Sequence, residues 1–313
     1  MLQTTSDITT CEVLIVGGGP AGISCALSIA RGGGSLVICD DKKPRNENSK
    51  HISNIPGLEG IAPKEYLELI GLDLKKYQKV ISKEGQVVAI EKKNNLFISS
   101  LSNNEVIKSR RVVIAEGVID QLPDIPGLRA LWGKSVFHCA YCHGYENINK
   151  KFGLLVKNEK GMQMVRLLWG LNSNLVIFSN GHEIFNEHDL FELKKRNIPL
   201  FHEKVLRLIE SDEKLQGVIL DNQNEIPCDK LFIQNEVKPR SDLGKKLGCK
   251  EDGKGIYKVN EDGMSSVEGV YFAGDVGSHN QSVIMASALG SHVGICVNAD
   301  LMREVFNGGI KEN

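Results

Sequence analysis

The chain has 313 residues, of which 41% are hydrophobic and 25% charged, so it is long enough for two globular domains. A formal net charge of −1 excludes binding to nucleic acid or anionic membranes through bulk charge. The first ten residues lack the features of a secretory signal, and no apolar run reaches the roughly 18 residues of a membrane span. We therefore expect a cytoplasmic protein that binds neither nucleic acid nor membranes.

The first forty residues predict a strand–helix–strand unit. Residues 12–16 form a short apolar run that stops at three glycines, and apolar residues then recur at helical spacing over 23–30. Residues 36–39 predict a second buried strand, which ends at the acidic pair Asp40 and Asp41. This order is typical of the start of a Rossmann-like domain.

The turn after the first strand carries a dinucleotide fingerprint. Gly17, Gly19 and Gly22 fit the pattern Gly-x-Gly-x-x-Gly, in which the backbone approaches a pyrophosphate at a helix N-terminus. The acidic pair Asp40-Asp41 lies about 18 residues beyond the last glycine, close to the spacing of a carboxylate that binds a ribose hydroxyl. The sequence therefore predicts dinucleotide binding in this unit.

The rest of the chain predicts an α/β fold with two Rossmann-like, three-layer domains of ββα/βαβ type. Residues 84–101 and 106–115 read as strands with a turn at Asn94-Asn95, and Pro123 and Pro126-Gly127 mark a boundary. A second unit follows, with strands at 152–156 and 174–178, a helix over 162–171 and an outgoing strand at 230–234. We expect a first domain of residues 1–118 and 241–313, split by an inserted domain of residues 119–240.

Cys139 and Cys142 are separated by two residues, a spacing at which two thiols close a small disulfide and store two electrons reversibly. The alternative is half of a structural zinc site, with His138 and His143 as local ligands. Neither a second Cys-x-x-Cys nor a His-x-x-x-His pair accompanies it, so we favour redox chemistry and predict no metal. The other six cysteines are solitary and lie in apolar segments, which is typical of reduced, buried thiols.

In its motifs the chain resembles the low-molecular-weight thioredoxin reductase family of flavoproteins over nearly its whole length. The motifs are Gly17–Gly22, Asn54–Gly57, Ala115–Gly117, Cys139–Cys142 and Ala273–Val276. Residues 122–128 and 142–146 are most similar to the branch that includes the gliotoxin and holomycin dithiol oxidases. The resemblance implies FAD in the first domain, a homodimer, and a dithiol or disulfide substrate that is a thioredoxin-like protein or a small molecule.

The resemblance also assigns an FAD site. Adenosine is expected near Asp40 or Asp41, and the pyrophosphate over Gly19 to Gly22. Two of the assignments have a structural alternative, because Asp275 suits a helix N-cap and Asn54 suits a turn. The residues assigned to the site are Gly17, Gly19, Pro20, Ala21, Gly22, Asp40, Asp41, Asn54, Val88, Ala115, Gly117, Gly274, Asp275, Gln281, Ser282 and Val283.

The resemblance gives the two thiols different roles. Cys142 is expected to face the flavin, and Cys139 is expected to exchange with the substrate. His143 follows the second cysteine, where an imidazole can carry a proton to or from a thiolate, and Glu146 is expected to orient it. A purely structural histidine is the alternative.

The inserted domain departs from the family pattern where NADPH would bind. Its loop at 156–161 keeps one glycine, and the side chains of Lys157, Asn158 and Glu159 would crowd a pyrophosphate. The next strand ends at 178–181 without the arginines that pair with a phosphate, and 238–240 lacks the usual glycine. We therefore expect that NADPH is not a working cofactor. The alternative is an atypical phosphate site made by Lys157, Lys160 and His182.

The leading hypothesis is an FAD-dependent thiol–disulfide oxidoreductase in which electrons pass between FAD, the Cys139–Cys142 pair and a dithiol or disulfide substrate. Oxygen or another acceptor would reoxidise the FAD. If electrons flow in reverse, a reduced carrier such as ferredoxin would reduce it. The second hypothesis is an NADPH-dependent thioredoxin reductase with a divergent loop. The third is a non-catalytic flavin redox sensor.

Overall fold

The structure is a computed structural model that describes residues 8–308. By their contacts these residues form two units: unit 1 holds 8–47, 64–119 and 237–308, and unit 2 holds 48–63 and 120–236. The sequence assigned segment 48–63 to the first domain, whereas its contacts lie with unit 2. Residues 1–7, which bear on the expected absence of a secretory signal, lie outside the described residues.

The helices and strands follow one another in three stretches of the chain. The first stretch contains β1 Ile8–Val16, α1 Pro20–Arg31, β2 Leu36–Asp40, α2 Pro63–Leu74, β3 Val80–Glu84, β4 Val87–Lys93, β5 Leu96–Leu101, β6 Val106–Ile114 and β7 Val118–Gln121. The second contains α3 Leu128–Leu131, β8 Val136–Phe137, α4 Ala140–His143, a 3-10 turn Tyr145–Asn147, β9 Phe152–Leu155, α5 Gly161–Leu171, β10 Leu175–Phe178, α6 Glu187–Lys195, β11 Leu200–Phe201, β12 Val205–Ser211, β13 Lys214–Leu220, β14 Glu225–Pro227 and β15 Lys230–Ile233. The third contains β16 Glu236–Pro239, α7 Leu243–Lys246, β17 Val270–Phe272, a 3-10 turn Gly274–Gly277 and α8 Val283–Phe306.

Unit 1 is built on a sheet in which β3, β2, β1 and β6 are parallel neighbours. On its other side β6 pairs first with antiparallel β5 and then, near its end, with parallel β17. Residues 13–16 of β1 and 36–39 of β2 are apolar and buried, because core clusters cover both faces of the sheet. The parallel order brings the carboxyl ends of β1, β2 and β6 to one edge, where α/β folds bind ligands.

Local patterns in unit 1 agree with the structure. The β1–α1–β2 unit is confirmed, as are the strands predicted within 84–101 and 106–115. Strands β4 and β5 form a hairpin whose turn is Asn94-Asn95, and both asparagines have positive φ, at 47° and 66°. Asparagine tolerates this left-handed backbone, which a two-residue hairpin requires.

Unit 2 contains a parallel sheet in the order β11-β10-β9-β15-β8, with α5 connecting β9 to β10. These elements confirm the predicted second strand–helix–strand unit and its outgoing strand, and with them the α/β class. The sequence did not predict the antiparallel sheet β12-β13-β14, which closes over a cluster that contains Leu208, Val218 and Leu220.

Helix α8 is, within residues 8–308, the one helix long and apolar enough to span a membrane by length and composition, with mean hydropathy 1.3. Polar residues interrupt it, so no continuous apolar run marks it in the sequence. One face lies tightly against α1, because a Cβ at Gly290 would lie 2.1 Å from the Ala21 oxygen. Core helices of soluble proteins meet the same criterion, so α8 is weak support for a membrane segment.

Candidate functional site

Cys139 and Cys142 form a disulfide at the start of α4, with Cα atoms 5.3 Å apart. Cys139 is the N-cap of this short helix, and its Sγ accepts a hydrogen bond of 3.1 Å from the backbone N–H of Cys142. After reduction this donor would stabilise a thiolate at Cys139, which is the reactive form in exchange. The arrangement favours the predicted exchange role of Cys139.

Segment 48–63, which belongs to unit 2, forms hydrogen bonds with α4, the helix that carries the disulfide. The Ser53 hydroxyl donates to the Cys142 carbonyl at 3.0 Å, and the Asn54 side-chain amide donates to the Tyr141 carbonyl at 3.2 Å. These bonds satisfy carbonyls that a helix C-terminus leaves without partners. Asn54 has a positive φ of 66°, as its turn alternative requires, and it lies with the dithiol rather than in unit 1. Its predicted contact with flavin stays a prediction.

His143 is held between an aromatic ring and a serine. Its ring stacks on Phe137 with centroids 4.2 Å apart, and its Nε2 lies 3.1 Å from the Ser49 hydroxyl oxygen. Burial lowers the pKa of His143 to about 4, and the neighbouring His51 acts in the same direction. The neutral ring therefore dominates at neutral pH and has a lone pair, while its burial makes it a weaker base than an ordinary imidazole.

Glu146 was expected to orient His143. Its carboxylate instead lies 3.4 Å from the Ser53 hydroxyl and 3.7 Å from Nε2 of His51, while Ser49 is the side chain bonded to His143. The sequence did not identify Ser49, His51 or Ser53, because short polar residues before Pro56-Gly57 look like any turn. Only the return of this segment to α4 gives them a role.

The shifted pKa of His143 predicts a pH-dependent stability. Its pKa is about 4 in the folded state against an ordinary 6.5, so the unfolded chain binds more protons between these values. The free energy of unfolding should be highest above about pH 6.5 and should fall by up to about 3 kcal/mol toward pH 4. Urea unfolding of oxidised apoprotein at pH 7 and pH 4.5 measures this fall, which we expect to be smaller in His143→Gln. The control His188→Gln changes an exposed residue and should keep the wild-type fall; equal falls in His143→Gln and wild type would contradict the prediction.

The glycine turn after β1 in unit 1 has the shape that a pyrophosphate needs. A Cβ at Gly17 would lie 2.5 Å from the Ala115 oxygen, and one at Gly22 would lie 1.9 Å from the Gly17 oxygen. A Cβ at Gly19 would meet nothing within 4 Å, so open space lies in front of this residue. No side chain caps the start of α1, and its first N–H groups are therefore available to an anion. These residues fit FAD.

The two acidic candidates after β2 differ in their surroundings. The Asp40 side chain lies against the fingerprint, since a Cβ at Gly18 would be 2.9 Å from its Oδ2. Each carboxylate has a cationic partner: Asp40 pairs at 3.3 Å with the exposed ammonium of Lys42, whereas Asp41 pairs at 2.9 Å with the half-buried guanidinium of Arg240. The geometry therefore favours Asp40 as the partner of a ribose. Val88 is exposed on β4, just beyond Gly85, whose N–H donates to the Asp40 carbonyl.

The remaining residues assigned to FAD lie at the ends of β6 and β17 and at the start of α8. Gly117 has a positive φ of 73° and its carbonyl accepts from the Arg240 N–H, while Gly274 lies against Ala21 of α1. Arg45 donates to Asp275 at 3.0 Å and to Gln281 at 2.7 Å. The cap of α8 is Ser282, so the N-cap alternative for Asp275 is wrong. Val283 is the first residue of α8.

The corresponding turn of unit 2, between β9 and α5, is already filled by protein. The Gln234 side-chain oxygen accepts from the N–H groups of Lys157 at 2.7 Å and of Asn158 at 3.3 Å. The Asn158 side chain accepts from the Lys160 N–H, and the Lys157 ammonium pairs with Glu236. Donors that would hold a nucleotide phosphate are thus satisfied internally. The sequence did not identify Gln234, which lies 77 positions from Lys157.

Comparisons with known proteins agree with this site. The family model described as "Pyridine nucleotide-disulphide oxidoreductase" matches residues 11–165 and 183–290. The chain is 30% identical to thioredoxin reductase tcpT of Claviceps purpurea (strain 20.1), over 97% of each chain. Its structure resembles that of HlmI, with a TM-score of 0.89 and 30% identity over 95% of this chain and 94% of that one. It also resembles an oxidoreductase from Agrobacterium tumefaciens, with a TM-score of 0.86 and 26% identity over 96% of this chain and 100% of that one.

Proposed function

Because the chain belongs to the pyridine nucleotide-disulphide oxidoreductase family, we propose that it catalyses thiol–disulfide exchange through Cys139–Cys142 and FAD without using NADPH. The observation that carries the proposal is the contrast between its two nucleotide turns. The turn of unit 1 is open at Gly19 and uncapped, whereas the turn of unit 2 is occupied by the Gln234 side chain. The substrate is a dithiol, or a disulfide when electrons flow in reverse.

The exchange begins at the outer sulfur of the disulfide. A substrate thiolate attacks Cys139 Sγ, the bond to Cys142 breaks, and Cys142 leaves as a thiolate. The second substrate thiol then attacks the substrate sulfur that is bonded to Cys139 Sγ. This breaks the mixed disulfide, releases the substrate disulfide and leaves Cys139 as a thiolate that the Cys142 N–H stabilises. Two electrons have passed from the substrate to the enzyme dithiol, and the two substrate protons remain to be placed.

His143 takes one of these protons, because its buried ring is neutral at the start of the cycle, and the other protonates the Cys142 thiolate. Ser49 and Phe137 keep the ring in place during the transfer. FAD, when bound to the open turn of unit 1, supplies the two-electron acceptor that restores the disulfide and passes electrons to oxygen or another acceptor. The residues that would hold it are those of the glycine turn, with Asp40 and Asp275.

An anaerobic titration tests the cofactor requirement. Dithiothreitol is expected to bleach the flavin absorbance of the purified holoprotein, while one equivalent of NADPH or NADH leaves it unchanged. The reason is that the Gln234 side-chain oxygen already accepts from the N–H groups of Lys157 and Asn158, which a nucleotide phosphate would need as donors. An NADPH-dependent thioredoxin reductase, titrated in parallel, verifies the reagents. Rapid bleaching by stoichiometric NADPH would instead identify this chain as such a reductase with a divergent loop.

We also propose that the protein acts as a cytoplasmic homodimer. Support for a reducing compartment comes from Cys25 and Cys228, whose burial raises the pKa of each thiol and keeps it protonated. Support for a dimer comes from apolar residues left exposed on α8, among them Ile284 and Ile295. Light scattering of the purified holoprotein and fractionation of cells test the two parts, and a monomer or a secreted product would contradict them.

A further inference from the structure

Four ammonium groups of unit 2 lie near one another and beside α4. They belong to Lys50, Lys150, Lys214 and Lys230, which we call the lysine patch. These residues come from separate stretches of the chain, and Lys150 lies beside Lys230 because the Lys230 N–H donates to the carbonyl of Lys151 at 3.2 Å. In the part of the chain that the structure describes, none of the four forms an ion pair.

The patch begins at the ring that packs against the histidine after the disulfide. The Lys230 ammonium lies 5.6 Å from the centroid of the Phe137 ring, and the same ring stacks on His143 with centroids 4.2 Å apart. Lys50 arrives here from segment 48–63, because the preceding residue, Ser49, lies 3.1 Å from Nε2 of His143. Two lysines of the patch therefore lie within a few side chains of the disulfide.

The patch continues away from the disulfide to the turn between β12 and β13. The Lys230 ammonium donates to the Lys134 carbonyl at 3.2 Å, and the Lys134 ammonium pairs with Glu213 at 2.7 Å. Lys214 follows Glu213 in this turn and is exposed, as is Asp212, which precedes Glu213. One carboxylate of the turn is thus neutralised within the protein, and Lys214 lies exposed beyond it.

The lysines of the patch repel one another. Burial lowers the pKa of Lys230 most, and Lys150, Lys50 and Lys214 lower it further, while Asp229 acts in the opposite direction. The patch is a local concentration of positive charge in a chain whose net charge is −1, and its repulsion lowers the free energy of unfolding. Residues that oppose folding in this way are typical of binding surfaces, where a partner supplies the missing charge.

We propose that the lysine patch docks an acidic protein, and that this protein carries the dithiol or disulfide that exchanges with Cys139. The inference rests on the proposed function, which makes Cys139 the sulfur that the substrate attacks. Carboxylates around the partner's own thiols would face the four ammonium groups and orient its sulfur toward α4. The exchange step is unchanged, since the patch neither gains nor loses a proton or an electron.

The extent of the patch favours a protein over a small dithiol. From α4 it extends through a series of contacts to the turn between β12 and β13. A dithiol of a few carbon atoms, bonded to Cys139 Sγ, would end long before Lys214. A protein surface of ordinary interface size, about 800 Å² on each partner, would cover the disulfide and the patch together.

The charge of a reduced peptide tests the proposal on the wild-type holoprotein. Anaerobic stopped flow follows bleaching of the flavin by dithiothreitol, by a Cys-Gly-Pro-Cys peptide flanked by glutamates, and by the same peptide flanked by lysines. At about 20 mM NaCl the second-order rate constant of the acidic peptide is expected to exceed that of the basic peptide at least about 10-fold. At about 500 mM NaCl this difference should largely vanish, while the rate constant of uncharged dithiothreitol stays the same.

Lys150→Gln/Lys214→Gln removes two exposed charges of the patch. The ratio of its rate constant with the acidic peptide to its rate constant with dithiothreitol is expected to be at least about 5-fold below the wild-type ratio. Lys194→Gln/Lys195→Gln is the matched control, because it removes two exposed lysines of the same unit from α6, which precedes β11 at the end of the sheet opposite β8. It should keep the wild-type ratio.

Equal rate constants for the two peptides at low salt would overturn the proposal, and so would a patch variant with the wild-type ratio. The peptide comparison uses the wild type, so it decides even if the patch variant does not fold. Dihydrolipoate is a small dithiol with one carboxylate, and a loss with it as large as that with the acidic peptide would overturn docking of a protein. Failure of dithiothreitol to bleach the flavin would contradict the proposed function instead. Docking would then be decided by fluorescence anisotropy of the oxidised acidic peptide with the same variants.

Discussion

Replacement of Cys139 or of Cys142 by serine is expected to lower thiol–disulfide turnover by at least about 1,000-fold. A serine hydroxyl neither forms the mixed disulfide nor leaves as a stable anion, so the two-electron path through α4 is broken at either position. The bound FAD should remain oxidised when dithiothreitol is added to either variant anaerobically. Turnover is measured with a dithiol substrate under air, and the flavin absorbance reports the reductive half separately.

The fold should survive these substitutions. The disulfide closes a loop of only four residues, so its loss removes about 2 kcal/mol of unfolding free energy at most in the loop-entropy model. Cys228→Ala is the matched control, because it removes a thiol of unit 2 that is buried and not disulfide-bonded. It should retain full turnover. Serine variants that kept full biological activity would instead favour the non-catalytic redox sensor.

Gly19→Ala is expected to weaken FAD binding by at least about 10-fold, which corresponds to about 1.4 kcal/mol. Gly19 has a φ of −75°, so alanine is allowed there, and the added methyl points into space that no protein atom occupies within 4 Å. That space is where the pyrophosphate would approach the backbone. Fluorescence titration of the apoprotein with FAD measures the affinity. The free energy of unfolding of the apoprotein, measured by thermal unfolding, should change by no more than about 1 kcal/mol.

Gly71→Ala provides the matched control in the same unit. Gly71 lies inside α2, and a Cβ there also meets nothing within 4 Å. It should leave FAD affinity unchanged and raise the stability by about 0.5–1 kcal/mol, because alanine favours a helix interior. Undiminished affinity in Gly19→Ala would show that the cofactor does not approach this turn.

The two strand–helix turns of the chain share a fold but differ in whether their backbone N–H groups are free to bind a phosphate. Both join a buried parallel strand to a helix, after β1 in unit 1 and after β9 in unit 2. In the second, Gln234 takes the place of an external acceptor at the backbone N–H groups of Lys157 and Asn158. The turn keeps these donors satisfied without an external ligand, and the parallel sheet of unit 2 remains intact.

Local patterns anticipated the elements that depend on nearby residues. The glycine turn at Gly17–Gly22 and the Asn94-Asn95 hairpin each follow from backbone conformations that few residues adopt. The antiparallel strands β12 to β14 were not anticipated, because several of their residues face solvent and the pairing of β12 with β13 is irregular. Their pairing depends on contacts with a core that the local sequence does not reveal.

The sequence by itself determined the α/β class, the order of the motifs, the redox pair Cys139–Cys142 and the weakness of the second nucleotide turn. These properties follow from residue type and spacing along a short stretch of chain. Only the tertiary structure brought segment 48–63 to α4, so that Ser49 binds His143, and brought Gln234 to the turn after β9. The reason is that a hydrogen bond between residues about 80 or more positions apart leaves no periodic signal in the sequence. Their partners are decided by how the units fold.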